Sequence, residues 1–239
     1  MYYVTGDTHG DATLWTNHII PLLQKGDTIL VAGDFGVGGF REHPFSWELF
    51  LDYLANQEFT VLFCDGNHEN FDKLNAYPVS EWHGGKVHFL RENVIHLIRG
   101  EIYDINGKHL FVFGGGYSLD RMRRTPGINW WAEEMPVPEE YERARRNLEQ
   151  YHNHVDYILT HTAPCETVEY LVTYGVGIHK NVFEEYPLTS FLQEVQSTTV
   201  YDKWYFGHFH VDREVWRNQY ALLDDVRELE TGKSIFRRL

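Results

Sequence analysis

Five short clusters of aspartate, histidine and asparagine punctuate this chain, and each falls where an apolar run stops. They are Gly6-Asp7-Thr8-His9-Gly10, Gly33-Asp34, Gly66-Asn67-His68-Glu69, Thr160-His161 and Gly207-His208-Phe209-His210. The runs before them cover residues 2–5, 28–32, 59–64, 157–160 and 200–206, and they have the length and composition of strands. Ligand chemistry gathered at the carboxyl ends of strands is the habit of open α/β sheets.

The segments between the first strands carry helical periodicity. Residues 13–23 place Leu14, Ile19, Leu22 and Leu23 at roughly helical spacing, and residues 45–56 do so with Phe45, Leu49, Phe50, Tyr53 and Leu54. The opening third therefore reads as β-α-β-α-β, strands covered by helices. Residues 87–90 and 96–98 read as short strands. Residues 101–105 and 109–113 flank Asn106-Gly107, which predicts a hairpin with a type I′ turn. Gly114-Gly115-Gly116 follows, then an irregular stretch over 117–137. A charged helix is expected over 138–151, with Pro138 in its first turn. Residues 214–239 read as strands of a second sheet. No repeat, low-complexity segment or linker interrupts the pattern, so the expectation is one domain over residues 1–239 with two sheets packed together.

Composition narrows the functional classes. The chain has 239 residues, 43% apolar and 15% aromatic, which argues for an ordered globule. Its net charge is −14, which disfavours extended binding to a phosphate backbone. Two cysteines, Cys64 and Cys165, make no disulfide framework and fit a reducing compartment. The first residues carry no basic, apolar leader, and no run reaches membrane-spanning length. The expected location is the cytoplasm, without a membrane partner.

Aspartate, neutral imidazole and amide oxygen are donors that suit Mn, Fe, Zn or Ni. Two divalent ions roughly 3.5–4 Å apart need about seven such donors and one carboxylate able to face both. Asp7 and His9 are two residues apart, as are His208 and His210, so each pair can point the same way from a strand end.

In these motifs the chain resembles the calcineurin-like metallophosphoesterase superfamily, whose pattern is D-x-H, G-D, G-N-H-[ED], a lone His and G-H-x-H. The resemblance runs from residue 5 to about 210 and implies an α/β (α+β) fold, a four-layer α-β-β-α sandwich. It implies that Asp7, His9 and His210 bind one metal, that Asn67, His161 and His208 bind a second, and that Asp34 bridges them. It implies that His68 contacts the phosphate and protonates the leaving oxygen, with Asn67 also on the substrate. The implied cofactors are two divalent ions, manganese first, with iron, zinc or nickel as alternatives. The implied reaction is hydrolysis of a phosphate ester by a metal-bridging hydroxide.

Gly66-Asn67-His68-Glu69 matches the Ser/Thr protein phosphatase branch, so a phosphomonoesterase of that type is the leading reading. The alternative is a phosphodiesterase or nucleotidase acting on nucleotides or nucleic-acid ends, and the remote one a non-catalytic binding scaffold. The substrate would be a phosphorylated small molecule, nucleotide or protein. The chain departs from the branch in two places. Asp34-Phe35-Gly36-Val37-Gly38 lacks the Asp and Arg that follow the bridging residue there, and Asp65 replaces the Arg before G-N-H-E. Asp65 is therefore a candidate to orient His68.

Other residues have plainer alternatives. Arg121, Arg123 and Arg124 either bind a distal substrate anion or form a solvated run. Gly114 to Gly116 either cradles phosphate or lets a strand end pass close to the metals. Trp130 and Trp131 are expected in the core rather than against a base, and Cys64 is expected as a core filler. The nine histidines at 18, 43, 83, 88, 96, 109, 152, 154 and 179 are expected to be structural or on the surface.

Overall fold

A computed structural model describes residues 1–38, 47–174, 183–216 and 218–236. Its core is two mixed sheets, each built on four parallel strands. The first sheet contains β1 (Tyr2–Thr5), β2 (Thr28–Val31), β3 (Thr60–Phe63), β4 (Val79–Trp82), β5 (Gly85–Arg91) and β6 (Val94–Leu97). The second contains β7 (Ile102–Ile105), β8 (Lys108–Phe113), β9 (Tyr157–Thr160), β10 (Lys203–Phe206), β11 (Arg213–Glu214) and β12 (Gln219–Ala221). The chain then returns to the first sheet with β13 (Val226–Glu228) and β14 (Ser234–Phe236), giving the orders β14-β13-β1-β2-β3-β6-β5-β4 and β11-β12-β10-β9-β8-β7.

Alternation along the strands builds the layers. Ile29 and Val31 of β2 and Val61 and Phe63 of β3 face outward, toward Trp15 and toward α2 (Trp47–Ala55) and α3 (Phe71–Leu74). Leu30, Ala32, Leu62 and Cys64 face the second sheet, where they meet Leu110, Val112, Leu159 and Tyr205. On the far side Phe111, Phe113, Ile158, Trp204 and Phe206 pack under α4 (Pro138–Gln150), α5 (Cys165–Thr173) and α6 (Tyr186–Thr198). The result is helix, sheet, sheet, helix, as the motifs imply. Cys64 fills the inter-sheet core, and Trp131 packs with the first outer layer while its Nε1 donates to Asp72 Oδ2 at 2.9 Å.

The structure corrects several local expectations. Residues 13–23 do not form one regular helix: an α-turn at Ala12–Leu14, capped by Asp11, widens to a π-turn over Trp15–Ile19 and closes as a 3₁₀ turn over Ile20–Leu22, where Pro21 sits. The helix expected from residue 45 is described from Trp47, and Phe45, His43 and His179 lie outside the described residues. The Asn106-Gly107 hairpin forms, both turn residues at positive φ. A second hairpin, β4–β5, turns at His83-Gly84 in the same way and was not anticipated, because its first strand is half polar. The residues after 214 do not all join the second sheet. Tyr3 pairs with Glu228 and Val4 with Arg227, so β13 and β14 extend the first. Among the described residues no helix is long and apolar enough to cross a membrane.

Register fixes where the motifs fall. Thr5 is opposite Val31 and Val31 opposite Phe63, so Asp7, Asp34 and Asn67 leave adjacent strands at one level. In the second sheet Leu159 is opposite Tyr205, which brings His161 and His208 to the same edge.

Candidate metal centre

Backbone hydrogen bonds stitch the motif loops together. His9 N–H donates to the Asp34 carbonyl at 2.7 Å and Gly207 N–H to the His161 carbonyl at 3.0 Å. Two carboxylates are then gripped by neighbouring loops. Asp34 Oδ1 accepts from His68 N–H at 2.8 Å, and both Asp7 oxygens accept from His208 N–H, at 3.0 and 3.1 Å. The glycines of the motifs permit this approach. A Cβ on Gly66 would lie 2.1 Å from Asp34 Oδ1, and one on Gly207 would lie 2.1 Å from Asp7 Oδ1. Glu69 secures the turn after Asp34 by accepting from the N–H groups of Phe35, Gly36 and Val37 at 2.8, 3.0 and 2.6 Å.

His9, Asp34, His208 and His210 all have positive φ, between 47° and 66°. For residues with a Cβ this conformation costs on the order of 1–3 kcal/mol each, and such strain concentrates at functional sites.

The side chains converge in two groups. Asp7, His9 and His210 bring ligand-type atoms within 4.8 Å of one another, as do His9, Asp34 and His68. His210 Nε2 is 3.3 Å from Asp7 Oδ2 and His9 Nε2 is 3.2 Å from Asp34 Oδ2. The other Asp34 oxygen, Oδ1, is 3.4 Å from His161 Nε2, so the carboxylate lies between the two histidines with one oxygen toward each. Asn67 Oδ1 is 2.9 Å from the same imidazole nitrogen.

His161, Asn67 and Asp34 give a test of fit for a cation. His161 Nδ1 lies 2.9 Å from the Ala32 carbonyl, which can only accept, so a neutral ring carries its proton there. Nε2 is then a bare lone pair facing two more acceptors, Asn67 Oδ1 and Asp34 Oδ1. A proton or a cation must sit among them, and the donor set of imidazole, carboxylate and amide oxygen suits a divalent metal.

Charge follows the same geometry. Burial alone would raise Asp34 and Asp7, but the neighbouring histidines outweigh it and hold both below the usual carboxylate range, Asp34 far below. Burial lowers His68 to about 4, against the pull of Asp34 and with help from Arg124. The His208 ring is raised despite its burial, because Nε2 lies 3.3 Å from Glu185 Oε1.

Asp65 does not turn toward His68. One oxygen is 3.1 Å from His96 Nε2 and the other accepts from Arg99 Nε at 2.7 Å and from Arg99 Nη2. This buried pairing, rather than catalysis, explains a carboxyl held far below its usual range against its burial. Of the three arginines, only Arg124 lines the cleft of about 190 Å³ beside Asp34 and His68. It is held by Asp120, through Nε at 2.6 Å and Nη2 at 2.9 Å. Arg121 lies over the Tyr117 ring, 4.9 Å from its centroid, and Arg123 is exposed. The Gly114-Gly115-Gly116 run passes the site closely: a Cβ on Gly116 would lie 3.0 Å from His161 and 3.3 Å from Asn67 Oδ1.

Three residues outside the motifs reach the site: Glu185 against His208, Ser118 accepting from Asn67 Nδ2–H at 3.0 Å, and Glu134 accepting from the Ser118 hydroxyl. Each is generic polar in a featureless context, and no local signal marks it.

The family model of the calcineurin-like phosphoesterases matches residues 2–212. The chain belongs to this family. That span takes in all five motifs and both sheets up to β10. The family is dinuclear and metal-dependent and hydrolyses phosphoesters, and in this member the histidines, aspartates and Asn67 converge at the joined carboxyl edge of the two sheets. A search of curated proteins finds no match.

Proposed function

We propose that this calcineurin-like phosphoesterase is a phosphomonoesterase, with Asp7, His9 and His210 holding one cation, Asn67, His161 and His208 the second, and Asp34 between them. The observation that carries the assignment is Asp34 itself, with one oxygen toward His9 and the other toward His161. Two bound divalent ions supply a hydroxide near neutral pH and charge to hold phosphoryl oxygens. Manganese is our first choice, and the cytoplasm our proposed compartment.

The chain's own residues do the rest. His68 is fixed above the cleft by its N–H bond to Asp34 and lies 5.6 Å from His9, ring centre to ring centre. Its role is to give a proton to the leaving oxygen. Burial holds the free ring neutral near pH 7, with a pKa of about 4, so the acid role requires a bound anionic phosphate to raise it. Arg124 supplies a guanidinium beside the cleft from outside the motifs, and binds a substrate anion in exchange for Asp120. A cleft of about 190 Å³ suits a phosphoryl group with one small substituent.

The test is turnover of nitrophenyl phosphate against bis-nitrophenyl phosphate, with the protein loaded separately with Mn, Fe, Zn and Ni. Preference for the monoester supports the reading. A higher kcat/KM on the diester with every metal replaces it by the phosphodiesterase alternative.

A further inference from the structure

The side-chain amide of Asn67 must present its oxygen, not its nitrogen, if it is to hold a cation. An amide can be turned over at little steric cost, so something has to choose.

The choice is made by residues outside the motifs. Ser118 follows the glycine run after β8, and Glu134 precedes α4. Glu134 is 1% exposed, and both its oxygens accept from Ser118: Oε1 from the backbone N–H at 3.1 Å and Oε2 from the hydroxyl at 2.6 Å. The hydroxyl hydrogen is thereby committed to Glu134, and the Ser118 oxygen is left able only to accept. Asn67 Nδ2 lies 3.0 Å from it and must donate. With the nitrogen pinned there, Oδ1 falls 2.9 Å from His161 Nε2, at the candidate second cation position. The reverse orientation would set two lone pairs against each other at Ser118 and aim N–H groups at a cation. His68 Nε2, 3.2 Å from the same nitrogen, favours the same orientation only while it is bare, whereas Ser118 does so in either state of His68.

We propose that Ser118 and Glu134 are positioning residues that set the amide orientation of Asn67 and so tune affinity for the second cation. This rests on the reading of Asn67 as a ligand given above. The loop that carries Ser118 and Glu134 thus takes part in metal binding without touching a metal. Outer hydrogen-bond partners of this kind are worth roughly 10–100-fold in metal affinity.

The experiment is calorimetric titration of metal-free full-length protein with Mn²⁺, with electron paramagnetic resonance to distinguish an isolated ion from a coupled pair. Ser118→Ala should weaken the second binding event by roughly 10–100-fold and leave the first unchanged. Ser118→Thr, which keeps the hydroxyl, should restore it, and Glu134→Gln should weaken it as Ser118→Ala does. The decisive arm is Asn67→Asp, which presents an oxygen in either orientation. In that background the cost of Ser118→Ala should vanish. An undiminished cost there, equal loss of both ions, or unchanged second-site affinity in Ser118→Ala and Glu134→Gln would overturn the proposal. Asn67→Ala separates the two levels: if it still binds two ions, the ligand reading itself is wrong. If Ser118→Ala does not fold, Glu134→Gln with and without Asn67→Asp makes the same comparison.

Discussion

The two halves of the centre are built differently. Asp7, His9 and His210 come from tight turns directly after strands, and His210 keeps a side chain 52% exposed. On the other side His161 is fully buried and His208 and Asn67 nearly so, and each is held by a partner from elsewhere: the Ala32 carbonyl, Glu185 and Ser118. The first half opens to solvent at His210 alone, Asp7 and His9 being buried, and its Asp7 is held by the His208 N–H. The second depends on long-range contacts among both sheets, α6 and the loop before α4. The contrast teaches that the motif loops brace one another in the first group, whereas the second also needs partners from outside the motifs, Glu185 and Ser118.

Breaking the residue shared by the halves should have the largest effect. Asp34→Asn removes the carboxylate charge shared by both groups, and we expect turnover to fall by roughly 10³-fold or more with weakened binding of both ions, measured by metal content and phosphatase assay. Loss of one ion alone would mean that Asp34 belongs to a single half. Next in size is His68→Ala. It should slow turnover by roughly 10²–10⁴-fold while both ions stay bound, with a smaller loss for nitrophenyl phosphate, whose leaving group needs little protonation.

Stability should separate the halves more directly. Glu185→Ala leaves the buried His208 ring without its partner and should cost about 3–5 kcal/mol in metal-free protein, by urea denaturation. His210→Gly removes the contacts with Asp7 and the His9 ring but relieves a positive φ at a half-exposed side chain, so its cost should be smaller than that of Glu185→Ala. Similar costs at both positions would erase the distinction.

Acid should weaken the metal-free fold through His68 and His88, whereas His208, raised by Glu185, acts the other way. Burial lowers both His68 and His88 to about 4, so between that value and the unfolded value near 6.5 the unfolded chain binds more protons than the folded one. Stability therefore rises with pH across this window, by up to about 3 kcal/mol for His68 and less for His88, whose ring is partly screened by solvent. His88→Leu should flatten the slope, and a pH series of denaturation midpoints would show it. The smallest effect is expected at Arg124. Arg124→Ala should raise KM more than it lowers kcat, and more for extended phosphorylated substrates than for nitrophenyl phosphate. Unchanged kinetics on every substrate would return Arg124 to a structural partner of Asp120.

Much of this was legible in the residues. Short apolar runs over residues 28–32 and 59–64, each followed by a glycine and a metal-type side chain, placed Asp34 and Asn67 at strand ends because those signals are local. Asn106-Gly107 gave its hairpin for the same reason. The misreadings occurred where a choice was non-local. Residues 226–236 have strand character, but whether they pair with β12 or β1 depends on which sheet edge is free, and Tyr3 opposite Glu228 decides it. Asp65 sits two residues from Asn67, yet Arg99 and His96 draw it the other way.

The sequence by itself determined which atoms could bind metals and that they would sit at strand ends, since side-chain chemistry and the two-residue period of a strand need no partner. Tertiary structure decided which of those atoms face one another and which way each is turned. A hydrogen bond such as that donated by Asn67 to Ser118, 51 residues apart, or by His161 to the Ala32 carbonyl, 129 apart, exists only once the two sheets have packed and excluded the water that would otherwise satisfy either group.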